Sequence, residues 1–307
     1  MSDNIPTRAS KAKELQELAL AKSQAGDFAY KLAARSLESH LDELSQIQAA
    51  SVTNPAFEML DFRLISPDLR TGSAPLDLVA GLAHEVRKTL GYAALRLIQG
   101  GMKRKRIPKY LHAELDLRLT GILPGSSRFI VSAAANRDLL DDGISKGAIE
   151  RIFSVLSTNG VGEEFLSSIN VLGSTSAKSL RELLKLIRAH SAEVEFTWKY
   201  SGDEIKKWVG SKQALESITS ALEVTVIIEQ EKVLLHGRIE LLSKRERIEL
   251  RVTQGGITKI LYPKNLLPMV SELHLEQDVS LYCQVTETEN PLTNESSTFY
   301  ELLEIRS

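Results

Sequence analysis

The residues with the strongest chemical character form a basic segment that follows Gly100 and Gly101. Its cations are Lys103, Arg104, Lys105, Arg106 and Lys109. Clustered cations can track a phosphate backbone, because each neutralised phosphate releases counterions. No aromatic residue except Tyr110 lies near enough in sequence to stack on a base, which counts against nucleic-acid binding. The segment predicts either a nucleic-acid-binding loop or a solvated loop that pairs with acids of the fold or of another protein.

Residue types that support catalysis or bind metals do not fall into a known arrangement. The carboxylates of Asp138, Asp141 and Asp142 could bind Mg²⁺ or act as general acid and base, but the same residues are typical of a loop that caps the helix after Gly143. The histidines are scattered, and Cys283 lies within a predicted strand, where a buried thiol is inert. We therefore predict no catalytic residue, no metal site and no cofactor, and leave open an enzyme site assembled from distant residues.

Composition restricts the class of protein further. The chain has 307 residues with 38 basic and 40 acidic side chains, which suggests two domains, or one with an appendage, and no overall attraction to nucleic acid. One cysteine and a polar start without an apolar leader predict a reducing, cytoplasmic setting. Every apolar run is shorter than a membrane-spanning helix requires, so we expect no membrane partner.

The first segment, residues 1–53, is predicted to be a helical arm or hairpin. Apolar residues recur there mostly at steps of three or four, as one face of a helix requires. Gly26 followed by Asp27 favours the hairpin slightly, because glycine ends helices and aspartate begins them. Either form needs a cover from the same chain, a second copy or a partner. The predicted partner-binding residues are Leu15, Leu18, Phe28, Leu32 and Leu41.

The second segment, residues 54–210, alternates between strand and helix patterns. An antiparallel sheet with helices over one face is the simplest arrangement that buries both kinds of apolar stripe. The predicted strands are Met59–Ile65, Ala113–Leu119, Phe129–Ala133 and Val194–Tyr200. The predicted helices are Leu76–Ile98, Ile144–Leu156 and Ala177–His190.

The third segment, residues 211–307, begins with a helix and continues almost entirely as strand. Five predicted strands, with a short helical connection between the third and the fourth, match a small OB-like barrel, and an SH3-like barrel is the rival. Glu287–Ser297 is predicted to be a long polar loop. From Leu222 to the end the net charge is −5, which favours a barrel that contacts protein.

Together these patterns predict an α+β chain that acts by association. We expect a non-enzymatic binding or assembly protein that uses its helical arm and its acidic barrel to bind another protein or itself, as a homo- or hetero-oligomer. Nucleic-acid binding through residues 103–109 is the alternative.

Overall fold

The computed structural model describes residues 5–23, 28–52, 57–67, 69, 74–101, 106–123, 127–135, 143–200, 203–243, 246–253 and 255–306. They form an N-terminal helical hairpin, a central antiparallel sheet covered by helices, and a C-terminal closed barrel of five strands. The predicted α+β class, with its helical arm and small β-barrel, is confirmed.

Helices and strands are numbered in chain order. The helices are α1 Ile5–Ser23, α2 Phe28–Val52, α3 Leu76–Gln99, α4 Lys109–Leu115, α5 Ile144–Ser157, α6 Gly162–Leu172, α7 Ser174–Ala189, α8 Lys212–Val224 and α9 Leu267–Val270. The strands are β1 Phe57–Ile65, β2 Arg118–Leu123, β3 Ser127–Ala134, β4 Glu193–Tyr200, β5 Asp203–Gly210, β6 Val226–Ser243, β7 Arg247–Val252, β8 Ile257–Leu261, β9 Asp278–Asn290 and β10 Glu295–Arg306. A 3-10 turn, Lys264–Leu266, precedes α9.

The arm is a hairpin in which α1 packs against α2. Its contact is made by small side chains, since Ala12, Ala19 and Ala34 are buried. Lys22 Nζ donates to the hydroxyl of Tyr30 at 3.4 Å and lies 5.1 Å from the centroid of its ring. Because the distance between packed helices depends on the side chains at the contact, these alanines let α1 and α2 approach closely.

The central sheet has the strand order β2-β3-β1-β4-β5, with antiparallel neighbours throughout. One face of β1 presents Leu60, Phe62 and Leu64 to a core shared with α3, α5, α6, α7 and α8. Glu58, fully buried, lies on the same face of β1 as Leu60 and accepts a 2.7 Å hydrogen bond from Trp198 Nε1. The helical stripes of the sequence are therefore covered by one sheet face, as expected.

The opposite face of β1 carries a buried ionic cluster. Asp61 accepts hydrogen bonds from both Nε and Nη2 of Arg128, the first at 2.7 Å, and lies 3.3 Å from Lys199 Nζ. Burial raises the pKa of Asp61, but the hydrogen bond and charge of Arg128, followed by those of Lys199, outweigh it and hold this pKa below its ordinary value. The cluster therefore joins β1, β3 and β4 through one ionised carboxylate.

The C-terminal strands close in the order β10-β8-β7-β6-β9, and β9 also pairs with β10. Strand β8 pairs with β10 in parallel, and the 3-10 turn and α9 lie between β8 and β9. This is the order expected of the OB-like barrel rather than the SH3-like rival. Its core contains Ile239, Ile248, Leu250, Leu281 and Cys283, all fully buried.

The predicted strand Ala113–Leu119 is wrong in its first half. Pro108 precedes helix α4, whose Leu111 and Leu115 are buried, and Asp116 ends the helix with a φ of 38°. Leu115 fits the two-residue alternation of a strand, and it also lies four residues after Leu111, as one face of a helix requires. The helix forms because both leucines pack into the central core. Strand β2 begins only at position 118.

Glu287–Ser297, predicted to be a long polar loop or a loose hairpin tip, does contain a hairpin turn, but the predicted loop is too long because β9 and β10 pair through most of it. Thr288, Asn290 and Ser297 are buried despite their polarity. The hydroxyl of Thr288 donates to the side-chain oxygen of Asn170 in α6, whose amide reaches the carbonyl of Ser297 at 3.5 Å. The polar residues of this segment thus form a hydrogen-bonded contact between the barrel and the central domain.

Strand β5 and helix α6 were not predicted from the sequence, and helix α8 packs against a different domain from the one expected. Strand β5 is largely exposed at the end of the sheet, so it lacks a clear alternation. Helix α6 buries Phe165 and Ile169 four residues apart, a signal that was present in the sequence. Helix α8, which we assigned with residues 211–307 to the barrel, packs Leu215 and Ile218 into the central core.

Replacement of Asp61 by Asn should lower the free energy of unfolding by roughly 3 kcal/mol at neutral pH, because two largely buried cations lose their counter-charge. The stabilisation by ionised Asp61 is present above its unfolded pKa of about 4 and is lost as the pH falls through the lowered pKa of the folded state. The difference between wild type and Asp61→Asn should therefore shrink in acid, as measured by urea unfolding from pH 7 to pH 3.

Asp203→Asn is the matched control, because Asp203 is exposed at the start of β5. Its free energy of unfolding should stay within about 0.5 kcal/mol of the wild-type value across the same pH range. A difference for Asp61→Asn that is independent of pH would contradict the role of its ionised form.

Candidate functional site

Four of the five predicted partner-binding residues lie on the outside of the arm. Leu15, Leu18, Phe28 and Leu32, defined here as the outer arm surface, are exposed by 57%, 51%, 76% and 61%. Leu41 is half-buried. The predicted single stripe is thus divided, since Leu15, Leu18, Phe28 and Leu32 are exposed, whereas Leu41 is half-buried.

The outer arm surface differs from the scattered exposed leucines of an ordinary surface. Phe28 opens α2 and Leu32 follows four residues later, so both lie on one side of the helix. Aromatic and aliphatic side chains at this spacing are the anchors that an amphipathic helix inserts into a groove of another protein. The arm therefore presents chemistry suited to burial against a protein.

The basic segment is described only in part, since Lys103, Arg104 and Lys105 lie outside the described residues. Arg106 and Lys109 are exposed, and neither makes an ion pair with a described residue. The ring of Tyr110 is 51% exposed, and its hydroxyl accepts a 2.9 Å hydrogen bond from Gln99 Nε2. Two cations and one exposed ring therefore share this surface.

On the β7–β8 face of the barrel, where OB folds commonly bind oligonucleotides, both arginines of β7 are paired with acids of the same chain. Arg251 Nε lies 2.5 Å from Glu240, and Arg247 lies 3.3 Å from Glu249. The described outward side chains of β7 and β8 include no aromatic ring. Both features make this face a poor platform for nucleic acid.

The central domain and the barrel meet at a nearly buried ion pair. Arg96, near the end of α3, places Nη1 2.9 Å from Glu301 of β10, and its Nη2 donates to the carbonyl of Asn170 at 3.4 Å. The Arg96 guanidinium also lies 5.6 Å from the ring of Phe299. One side chain therefore contacts α6 and β10 at the same time, and no sequence pattern pointed to it, because Arg96 and Glu301 are 205 positions apart.

Gly100 and Gly101, which precede the basic segment, lie directly beside this ion pair. The backbone N–H of Gly101 donates to Glu301 Oε2 at 2.9 Å. Gly100 has a φ of 70°, and a Cβ there would lie 2.5 Å from Glu301 Oε1. The two glycines thus permit the backbone to approach the carboxylate, a use of glycine that differs from flexibility.

A second ion pair supports the junction from α5. Arg151 Nη2 lies 2.8 Å from Glu246, which precedes β7, and Nη1 donates to the carbonyl of Val171 at 3.2 Å. Burial lowers the pKa of Arg151, and the charge of Glu246 opposes that effect. Both partners are mostly buried, so the barrel is held to the central domain by two charge-assisted contacts rather than by one.

A cleft of about 400 Å³ lies beside the first ion pair, between the central domain and the barrel. The first turn of α7 contributes Ser174 and Thr175, and the barrel contributes Lys232 and Gln284. Hydroxyl, amide and ammonium groups suit polar ligands or ordered water. Arg96 also lines the cleft, but its charge is matched by Glu301.

The described residues that sequence reasoning weighed for catalysis are not assembled into a reactive site. Cys283 is fully buried, and burial raises the pKa of its thiol to about 12, which agrees with the predicted inert strand residue. Among the described residues, no three His, Cys, Asp or Glu side chains are placed to hold a metal ion. The acidic cluster at positions 138–142 lies outside the described part.

Comparison with known proteins gives no relative for this chain. No family model matches it, no curated protein matches it, and no solved structure matches it. Within the described residues, no helix is long and apolar enough to cross a membrane.

Replacement of Glu301 by Gln should weaken the junction by on the order of 2 kcal/mol or more, because the guanidinium of Arg96 loses its counter-charge. Both tryptophans, Trp198 and Trp208, lie in the central core, so their fluorescence reports on that domain alone. Far-ultraviolet circular dichroism reports on both domains. In urea the two signals should coincide for wild type and separate for Glu301→Gln as the barrel unfolds first.

Glu304→Gln is the control from the same strand, since Glu304 and its partner Arg306 are both half exposed. It should leave the two transitions coincident. Coincident transitions with an unchanged midpoint in Glu301→Gln would show that the ion pair does not couple the domains.

Proposed function

We propose that the protein is a non-enzymatic assembly protein that associates through the outer arm surface. The observation that carries the proposal is the exposure of Leu15, Leu18, Phe28 and Leu32 on a hairpin already closed by alanines. Burial of such side chains is favourable at about 25 cal/mol per Å² of apolar surface. A partner gains this energy without opening the hairpin.

A second copy of the chain is the simplest occupant of the outer arm surface. Two-fold dimers are the commonest oligomers, and a two-fold axis would pair the same apolar residues from both copies. Phe28 and Leu32 supply the aromatic and aliphatic anchors that dominate such contacts. The barrel, with its net charge of −5 from residue 222 to the end, would remain available for a second, basic protein surface.

Leu32→Glu and Phe28→Glu should each abolish self-association, because each places a carboxylate in the apolar contact. The readout is mass in solution by light scattering across a concentration series. Wild type should approach twice 34.0 kDa, and both variants should stay at the monomer mass. The fold itself should be unchanged, since both side chains already face solvent.

Ala33→Glu is the matched control, because it adds the same charge at the next exposed position, on another side of α2. It should associate as wild type does. A wild-type chain that remains monomeric at its highest soluble concentration would overturn self-association through the arm.

The second candidate function is nucleic-acid binding by the basic segment. It is favoured by the exposed ring of Tyr110 beside Arg106 and Lys109, since stacking and phosphate neutralisation are the two parts of single-strand recognition. The near-neutral charge of the whole chain limits such binding to this local surface.

Substitution of the cluster Lys103, Arg104, Lys105 and Arg106 by Ala should lower the slope of log affinity against log salt by about one for each phosphate that the variant no longer neutralises. Fluorescence anisotropy with labelled single-stranded and duplex oligonucleotides measures this slope. A control that removes four dispersed, exposed lysines should leave it unchanged: Lys178, Lys206, Lys212 and Lys259. Absence of wild-type binding at low salt would exclude this candidate.

A further inference from the structure

A cavity of about 210 Å³ opens between helix α3 and the β2 side of the central sheet. Its wall is mainly apolar and is built from both layers. The side chains that define it include Val79, Ala83, Leu117, Leu119, Phe129 and Val131. This volume is many times the ~10–15 Å³ that one water molecule requires, so the cavity has room for an aliphatic chain of several carbons.

The cavity follows from how α3 lies on the sheet. The helix directs Leu82 and Val86 into the core, which turns the smaller Val79 and Ala83 toward β2. Strand β2 has an irregular register with β3 between Leu119 and Gly121. Such irregularities bend a strand locally, and together with the small side chains of α3 they leave the space unfilled.

The charged residues that line the cavity are arginines, Arg87 and Arg118. Both are exposed, so they stand at its open side. Arg118 lies 2.9 Å from Asp116, which matches its charge. Arg87 makes no hydrogen bond or ion pair within the described part of the chain. Counting only the described residues, the mouth therefore carries one cation without a counter-charge, Arg87, next to an apolar interior.

We infer that this cavity binds an aliphatic monocarboxylate, with the alkyl chain inside and the carboxylate on Arg87. A guanidinium presents two parallel N–H groups that match the two oxygens of a carboxylate. One unmatched positive charge suits one carboxylate better than a phosphate dianion. Apolar walls with a single well-placed polar group are the usual make-up of a small-molecule site.

The first test is a chain-length series of straight monocarboxylates, from butanoate to dodecanoate, titrated into the whole chain by calorimetry. Each added methylene that enters the cavity should tighten Kd about four-fold, which corresponds to the ~0.8 kcal/mol of one buried methylene. The gain should stop once the chain fills the cavity. Octylamine, which has the same chain and the opposite charge, should bind at least ten-fold more weakly than octanoate.

Two variants locate the site. Arg87→Gln should weaken the affinity for octanoate at least ten-fold and leave the affinity for 1-octanol unchanged. Arg106 is an exposed arginine away from the cavity, so Arg106→Gln should change neither affinity. Ala83→Phe should abolish binding of both ligands; because Ala83 is exposed at the mouth, the larger ring does not enter the core. Circular dichroism checks that each variant is folded.

Three results would overturn the inference. Octylamine that binds as tightly as octanoate would remove the role of Arg87. An affinity that does not depend on chain length would show that the alkyl chain does not enter the cavity. Wild-type affinity in Ala83→Phe would place the ligand elsewhere on the protein.

Discussion

The arrangement of the two folded domains depends on the guanidinium of Arg96. It contacts the carboxylate of Glu301, the carbonyl of Asn170 and the ring of Phe299, so α3, α6 and the barrel meet around one cation. A largely buried charge is tolerable only when it is paired and hydrogen-bonded. The glycines at positions 100 and 101 are a consequence of that pairing, since the chain must pass directly beside the carboxylate.

Buried carboxylates recur as connecting groups in other parts of the molecule. Asp61 joins three strands of the central sheet through Arg128 and Lys199, and Glu58 accepts a hydrogen bond from Trp198 within the core. Each acid is satisfied by partners from distant parts of the sequence. Such groups specify one arrangement of the layers, because any other arrangement leaves a charge buried without a partner.

The arm follows a different principle from these layers. Among its described side chains, Ala12, Ala19 and Ala34 are buried, whereas Leu15, Leu18, Phe28 and Leu32 remain exposed to solvent. The central domain and the barrel bury their apolar side chains in cores within the chain, whereas the outer arm surface is exposed. This contrast between a closed body and an open arm is the basis of our proposal that the protein acts by association.

The sequence by itself determined the element types where the periodicity was strong, such as α3, α5, α7 and β4, and the strand order of the barrel. Those features depend on the local spacing of apolar residues and on turn residues, and both can be read from a single sequence. Tertiary structure alone decided that Leu115 is helical, that Thr288 and Ser297 are buried, and that Arg96 meets Glu301. It also decided that Leu15, Leu18 and Leu32 of the arm are exposed and that Arg87 lines a cavity. These outcomes depend on contacts between residues far apart in the chain, and local patterns do not specify which distant side chain completes a contact.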